Sequence, residues 1–206
     1  MSFAGLILDF VDVLSAEGGS GSAVIDMQNH ANSFATAVDN YVKELYDPGK
    51  RKVKSTNKIL MVAPIVAVAS IPGTGTASID AQKSALQYAT AVQLYTLAIV
   101  IDPGSVMLPL GGILTPPGTP AVAQITAPTL LTLLQSDFTS IFLDETPSDL
   151  SLGLLILLKA NKFANAIKKA FTTGTFVTIS GTDSTLPPPA GIGPQSFSIT
   201  GPLSEN

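Results

Sequence analysis

No cysteine occurs anywhere in this chain of 206 residues, and histidine occurs once, at His30. Without a thiol there is no disulfide framework, thiolate nucleophile, zinc finger or iron–sulfur ligand set. With one imidazole, a histidine-based metal centre would need help from carboxylates that are scattered along the sequence. Charge is scarce as well. Only 13% of residues are charged, too few to coat a freely soluble monomer of this size. The deficit is concentrated: between Ile59 and Leu143 the only charged side chains are Asp80, Lys83, Asp102 and Asp137. A net charge of -4 argues against nucleic acid as the main partner.

Hydrophobic residues make up 46% of the chain, so a sizeable core can form. The charge-poor stretch is broken throughout by Pro, Gly, Thr and Gln, which is not the texture of lipid-facing sequence. Apolar surface of this kind is most simply covered by other protein chains. The patch Ala4–Leu8 has no basic segment ahead of it, and Asp9 and Asp12 interrupt it, so it makes a poor signal peptide.

Periodicity predicts five helices. The first covers 4–16 and ends before the Gly/Ser cluster at 18–21. The second starts near Ser22, carries the seam Val24, Met27, Ala31, Phe34, Val38, Tyr41 and Leu45, and stops at Asp47-Pro48-Gly49. A basic stretch follows, Lys50, Arg51, Lys52, Lys54 and Lys58, as an exposed strand or arm, either simply solvated or meeting a partner, with an acidic neighbouring subunit favoured over nucleic acid because no aromatics are interleaved for base stacking. Residues 59–63 read as extended and 71–76 as a loop. The third helix runs from about Ser78 to Ile101 on the seam Ala81, Ala85, Tyr88, Val92, Tyr95 and Ile99. Residues 105–127, rich in Pro and Gly and nearly uncharged, read as an extended loop lying on protein. The fourth helix covers 128–143 with Leu130, Leu134, Phe138 and Ile141 on one face; the fifth covers 148–172, stopped by Gly174. Thr175–Ile179 alternates with period two as a strand, and 196–199 is the returning strand of a hairpin.

Three helices share a local pattern. Phe34-Ala35-Thr36-Ala37-Val38 recurs as Tyr88-Ala89-Thr90-Ala91-Val92 and again as Phe163-Ala164-Asn165-Ala166-Ile167. Two readings are open: common helix-packing vocabulary, or duplication of one segment. Under either, three helices with narrow seams pack along one another.

No arrangement of residues makes an active site. His30 has no Asp or Ser partner nearby in sequence and reads as a boundary residue. Gly73-Thr74-Gly75 lacks the Gly-Lys-Ser/Thr ending of a phosphate loop. Asp144, Glu145 and Asp149 sit where carboxylates complement a helix dipole, without calcium-loop spacing. Neither catalytic residues nor a cofactor or metal site are assigned. A membrane span over Ser84–Ile101 is long enough, but Gln87, Thr90, Gln93 and Thr96 fall along it.

The last third, from Leu157-Leu158-Lys159-Ala160-Asn161-Lys162-Phe163 through Thr175-Phe176-Val177-Thr178-Ile179 to Leu186-Pro187-Pro188-Pro189-Ala190-Gly191, resembles small virion structural proteins of tailed bacteriophages. The resemblance covers about 155–202, with a fainter echo at 29–45. It implies a non-enzymatic part of a neck, tail or baseplate ring in the virion, whose partners are further copies of itself and other virion proteins. It carries over no functional residues. The competing expectation is a membrane-associated or pore-type protein with an apolar helical hairpin.

The expected fold is mainly α with a small β component: a helical bundle over 1–174 with the extended loop at 105–127, and a C-terminal β arm over 175–206. Phe34, Val38, Tyr88, Val92, Phe163 and Ile167 on the seams, with Phe176, Val177 and Ile179 on the arm, are the residues expected at subunit contacts.

Overall fold

The computed structural model describes residues 2–16, 19–101, 106–107, 113–114, 122–144, 151–183 and 195–205. Among the described residues six α-helices and seven strands follow one another: α1 (Phe3–Ser15), α2 (Ala23–Val42), β1 (Val53–Ser55), α3 (Ile59–Ala67), α4 (Ala77–Leu97), β2 (Val100–Ile101), β3 (Val106–Met107), β4 (Ile113–Leu114), β5 (Val122–Thr126), α5 (Leu130–Phe142), α6 (Leu152–Thr173), β6 (Phe176–Asp183) and β7 (Gln195–Pro202). The fold is mainly α with a small β component.

Each helix packs on its neighbours in chain order, and α6 closes on α1, so the six form a ring. Three long helices, α2, α4 and α6, alternate with three short ones. The long helices run parallel. The rings of Phe34 and Tyr88 meet at 5.1 Å and those of Phe34 and Phe163 at 6.2 Å, while further along Tyr95 donates to Asp39 at 3.1 Å and meets Phe171 at 6.4 Å. Their C-terminal ends therefore point the same way. β1, β2, β5 and β6 adjoin that end, because each directly follows a long helix or precedes a short one.

The apolar run at 59–69 folds as helix α3 rather than as an extended segment. Met61 and Ile65, four apart, are fully buried between α2 and α4. The helix opens with tight bonds from Leu60 N–H to Asn57 O and from Met61 N–H to Lys58 O. Pro64 lies inside it and removes one helical donor, in keeping with its length of nine residues.

α2 ends at Val42, short of the Asp47-Pro48-Gly49 stop, because tertiary bonds compete for the backbone. Leu45 O accepts Val53 N–H, and Tyr46 exchanges two 2.9 Å bonds with Ser204. The turn beyond is closed by Asp47, which accepts Arg51 N–H and Arg51 Nε at 2.8 Å each, with Lys50 at φ 62°. α4 likewise stops at Leu97, and Ile101 turns to pair with Val53.

Of the stretch expected as an extended loop, 105, 108–112 and 115–121 lie outside the described residues, β3 and β4 pair with each other, and β5 is an edge strand of a three-stranded sheet in the order β5-β6-β7. The expected hairpin forms, with Ile179 opposite Ile199. The arm is not a free arm, however. β6 is paired on both sides, Val177, Ile179 and Leu203 are fully buried, and Tyr41 donates to Glu205 Oε1 at 2.9 Å. Helix α6 passes into this sheet at Gly174, where an added Cβ would lie 2.9 Å from Ala170 O and 3.2 Å from Leu133 Cδ1. Glycine is needed there for close approach.

Candidate functional site

The three echoed segments converge. Phe34, Tyr88 and Phe163 lie in one layer at the centre of the ring, completed by Phe10 from α1 and by Phe138 and Phe142 from α5. Tilted and edge-on contacts dominate, the arrangement that ring quadrupoles favour.

The match between α2 and α4 extends well beyond five residues. Gly19-Ser20-Gly21-Ser22 leads into α2 at Ala23 as Gly73-Thr74-Gly75-Thr76 leads into α4 at Ala77, and Ile25-Asp26, Gln28, Ala31 and Tyr41 recur at the same offset as Ile79-Asp80, Gln82, Ala85 and Tyr95. The geometry repeats with the residues. Gly21 and Gly75 both adopt φ 76°. Asp26 accepts the Ser20 N–H at 3.1 Å and Asp80 the Thr74 N–H at 2.9 Å. Ser22 N–H bonds Ser20 Oγ, and Thr76 N–H bonds Thr74 Oγ1. Hydrogen bonds with Ser20 hold the Asp26 carboxyl below its usual range, and the Thr74 N–H and hydroxyl do the same for Asp80.

Helix α6 is the third copy at the level of its core face, with Ala160, Phe163, Ala164, Ala166 and Ile167 matching Ala31, Phe34, Ala35, Ala37 and Val38. Asn32 and Asn161 even make the same bond, each amide donating to the carbonyl four residues earlier. The short helices repeat too: Leu6, Phe10 and Val13 in α1 and Leu134, Phe138 and Ile141 in α5 are buried at the same spacing, and Met61 and Ile65 in α3 follow its first step. The chain is thus three short–long helical hairpins in a ring. The glycine–hydroxyl lead-in was the legible signal that sequence reasoning missed.

This convergence corrects the expected contact residues. Phe34, Val38, Tyr88, Val92, Phe163, Ile167, Val177 and Ile179 are buried inside the single chain, and Phe176 is half-buried. They join helix to helix and sheet to bundle within one subunit, because a closed ring turns every seam inward.

Polar side chains are mostly engaged. Asp39, nearly buried, receives the hydroxyls of Tyr95 and Thr56 and the Lys43 ammonium at 2.6 Å. Burial, chiefly, pushes the Tyr95 phenol up. The basic stretch does not form one free patch: Arg51 is buried against Asp47, Lys52 pairs with Glu44 at 3.0 Å, and Lys58 donates to Thr36. His30 is half-buried with its ring 6.1 Å from that of Tyr88, and burial lowers its pKa. Asp144 pairs with Lys162 across α5 and α6, whereas Glu145 and Asp149 lie outside the described residues. Among the described residues no group of three His, Cys, Asp or Glu side chains is placed to hold a metal ion, and no helix is long and apolar enough to cross a membrane. The grooves are open: Asp9, Asp12, Asn32, Thr36 and Asn40 line one between α1 and α2, with Asn40 already bonded to Asp9.

What stands out on the surface is aliphatic. Leu152, Leu154, Leu157 and Leu158 are exposed on the first turns of α6, which begins eleven residues before its core aromatic, at Leu152, while the neighbouring α5 ends at Phe142. No family model, curated protein or solved structure matches this chain.

Proposed function

We propose that this chain is a non-enzymatic structural subunit of a tailed-phage virion, built into a neck, tail or baseplate ring through contacts with further copies of itself and with other virion proteins. The observation that carries the proposal is the exposed leucine face at the start of α6, set on a helix whose opposite face is locked into the aromatic layer. Such surface is costly to leave in water and is rigidly presented, as an assembly contact requires. The scarcity of charge from Ile59 to Leu143 supports the same reading, and the resemblance of residues 155–202 to virion parts supplies the setting.

Mass spectrometry of purified particles beside a carbonate-washed membrane fraction tests it. The chain is expected in particles at a stoichiometry divisible by three or six. Recovery only in the membrane pellet refutes the proposal.

A further inference from the structure

Three repeats in a ring meet at three seams, and the residues crossing each seam beyond the central aromatics can be compared position by position. Tyr41, Tyr95 and Ala170 are equivalent, seven residues after Phe34, Tyr88 and Phe163; Asp39, Gln93 and Lys168 are equivalent, five residues after them. Between the first two repeats, the Tyr95 hydroxyl on α4 donates to the Asp39 carboxylate on α2 at 3.1 Å, and the Lys43 ammonium donates to the same carboxylate at 2.6 Å. Carried one step round the ring, this contact runs from the Tyr41 hydroxyl on α2 to position 168 on α6. That position is a lysine, so the repeat brings no carboxylate of its own. Glu205 brings one instead: its Oε1 accepts the Tyr41 hydroxyl at 2.9 Å and its Oε2 the Lys168 ammonium at 3.1 Å. Both seams are thus held by a phenol, a carboxylate and an ammonium, with the carboxylate drawn from different elements. At the remaining seam Ala170 has no hydroxyl, and the rings of Tyr95 and Phe171 meet at 6.4 Å.

Glu205 sits on a short strap after β7. Leu203 of the strap is fully buried, Ser204 exchanges two 2.9 Å backbone bonds with Tyr46 beyond the end of α2, and Glu205 reaches Tyr41 within α2. The strap continues from the sheet into which α6 passes, so it ties the third repeat to the first. Lys168 steadies Glu205 from α6, and its ammonium lies 4.7 Å over the ring of Phe3, the first residue of α1. Helix α1 itself packs on both α2 and α6. Tyr41 is fully buried, and burial first, then Glu205, push its phenol up, so the hydroxyl stays a donor. Without Glu205 that donor loses its acceptor inside the protein, a greater loss than that of a surface ion pair.

We infer that Glu205 is the latch of the ring: its carboxylate replaces the one that the third repeat lacks at position 168, and its release opens the ring between α6 and α1 while the first two repeats stay joined through Asp39. The latch does not depend on the assembly role proposed above.

Hydrogen exchange of the full-length chain, read by mass spectrometry helix by helix, tests the latch. Wild type is compared with Glu205→Ala, Glu205→Gln, Asp137→Asn and the double variant Glu205→Ala/Lys168→Asp, and circular dichroism checks that each keeps its helical spectrum. Asp137→Asn removes an exposed ion pair with Lys169 inside one repeat, away from the seam. Lys168→Asp installs the carboxylate that the first repeat already carries at Asp39. Expected in Glu205→Ala is a rise of roughly tenfold in exchange over α1, with α3 and α4 unchanged. Glu205→Gln, which keeps an acceptor for Tyr41, should fall between wild type and Glu205→Ala, and Asp137→Asn should match wild type. The double variant should return α1 to slow exchange. Unchanged α1 exchange in both Glu205 variants overturns the latch. An even rise over all six helices does so as well, since it would mark general destabilisation, and so does a double variant that exchanges as fast as Glu205→Ala.

Discussion

Replacing Phe34 with Ala removes the ring on which the central layer depends. Phe34 is 1% exposed and stands 5.3 Å from Phe10, 5.1 Å from Tyr88, 6.3 Å from Phe138 and 6.2 Å from Phe163, centroid to centroid. Four helices thus meet on one side chain. Truncating a buried Phe costs about 3–5 kcal/mol from lost transfer energy and the residual cavity. The upper half of that range applies, because the neighbouring rings belong to separate helices of a closed ring and cannot all collapse inward. Each aromatic pair contributes roughly 0.5–1.5 kcal/mol beyond its area. For a chain of this length the loss corresponds to a fall in Tm of about 8–20 °C. Urea unfolding followed at the helical circular-dichroism minimum measures it, with Ile25→Ala, on an exposed outer face, as a control changing by about 0.5 kcal/mol or less. A Phe34→Ala loss below about 1 kcal/mol would show that the three long helices are not joined through this layer, and the ring architecture would have to be abandoned.

Leu203 is fully buried beside the Tyr46–Ser204 bridge, so Leu203→Ala should lower stability by about 2–4 kcal/mol in the same assay. By the same reasoning, deletion of 175–206 should lose helical signal; retention of the full helical spectrum would return the segment to the status of an arm. Asp80 has a folded pKa below its ordinary value of 3.8, through the Thr74 N–H first and then its hydroxyl. Its contribution is therefore present above the unfolded pKa and is lost as pH falls through the folded one. NMR titration should place the Asp80 carboxyl below 3.8, with fraying of the first turn of α4 on the acid side; titration at or above 3.8 refutes the cap.

Helix seams were the most legible part of the sequence. Leu130, Leu134, Phe138 and Ile141 are buried as their spacing predicts, and Gly174 ends α6. The misread segments are those where tertiary partners overrule local pattern. Pro64 within an apolar run favours an extended reading, yet burial of Met61 and Ile65 between two helices outweighs one missing donor. The Asp-Pro-Gly stops at 47–49 and 102–104 mark where a helix must have ended, but pairing with Ser204 and with Val53 ends α2 and α4 several residues sooner. The contact residues were misplaced for a different reason. A seam in sequence does not say whether its partner lies in the same chain or another, and only the closure of α6 on α1 decides that here. The leucines of α6 were visible all along, but without the alignment of the repeats nothing marked them as facing outward.

Closure of the ring also sets an order of events during synthesis. A hairpin such as α3–α4 or α5–α6 uses contacts between chain neighbours and can form soon after its residues leave the ribosome. Helix α1 cannot complete its packing in this way. It lies against α2, but its other flank needs α6, and Phe10 meets Phe163 at 5.7 Å across most of the chain's length. At roughly 5–20 residues per second, α1 waits on the order of ten seconds for that partner to be made. Through that interval the nascent chain is an open arc, with the α6-facing flank of α1 uncovered, and it becomes a ring only as the last helix is released.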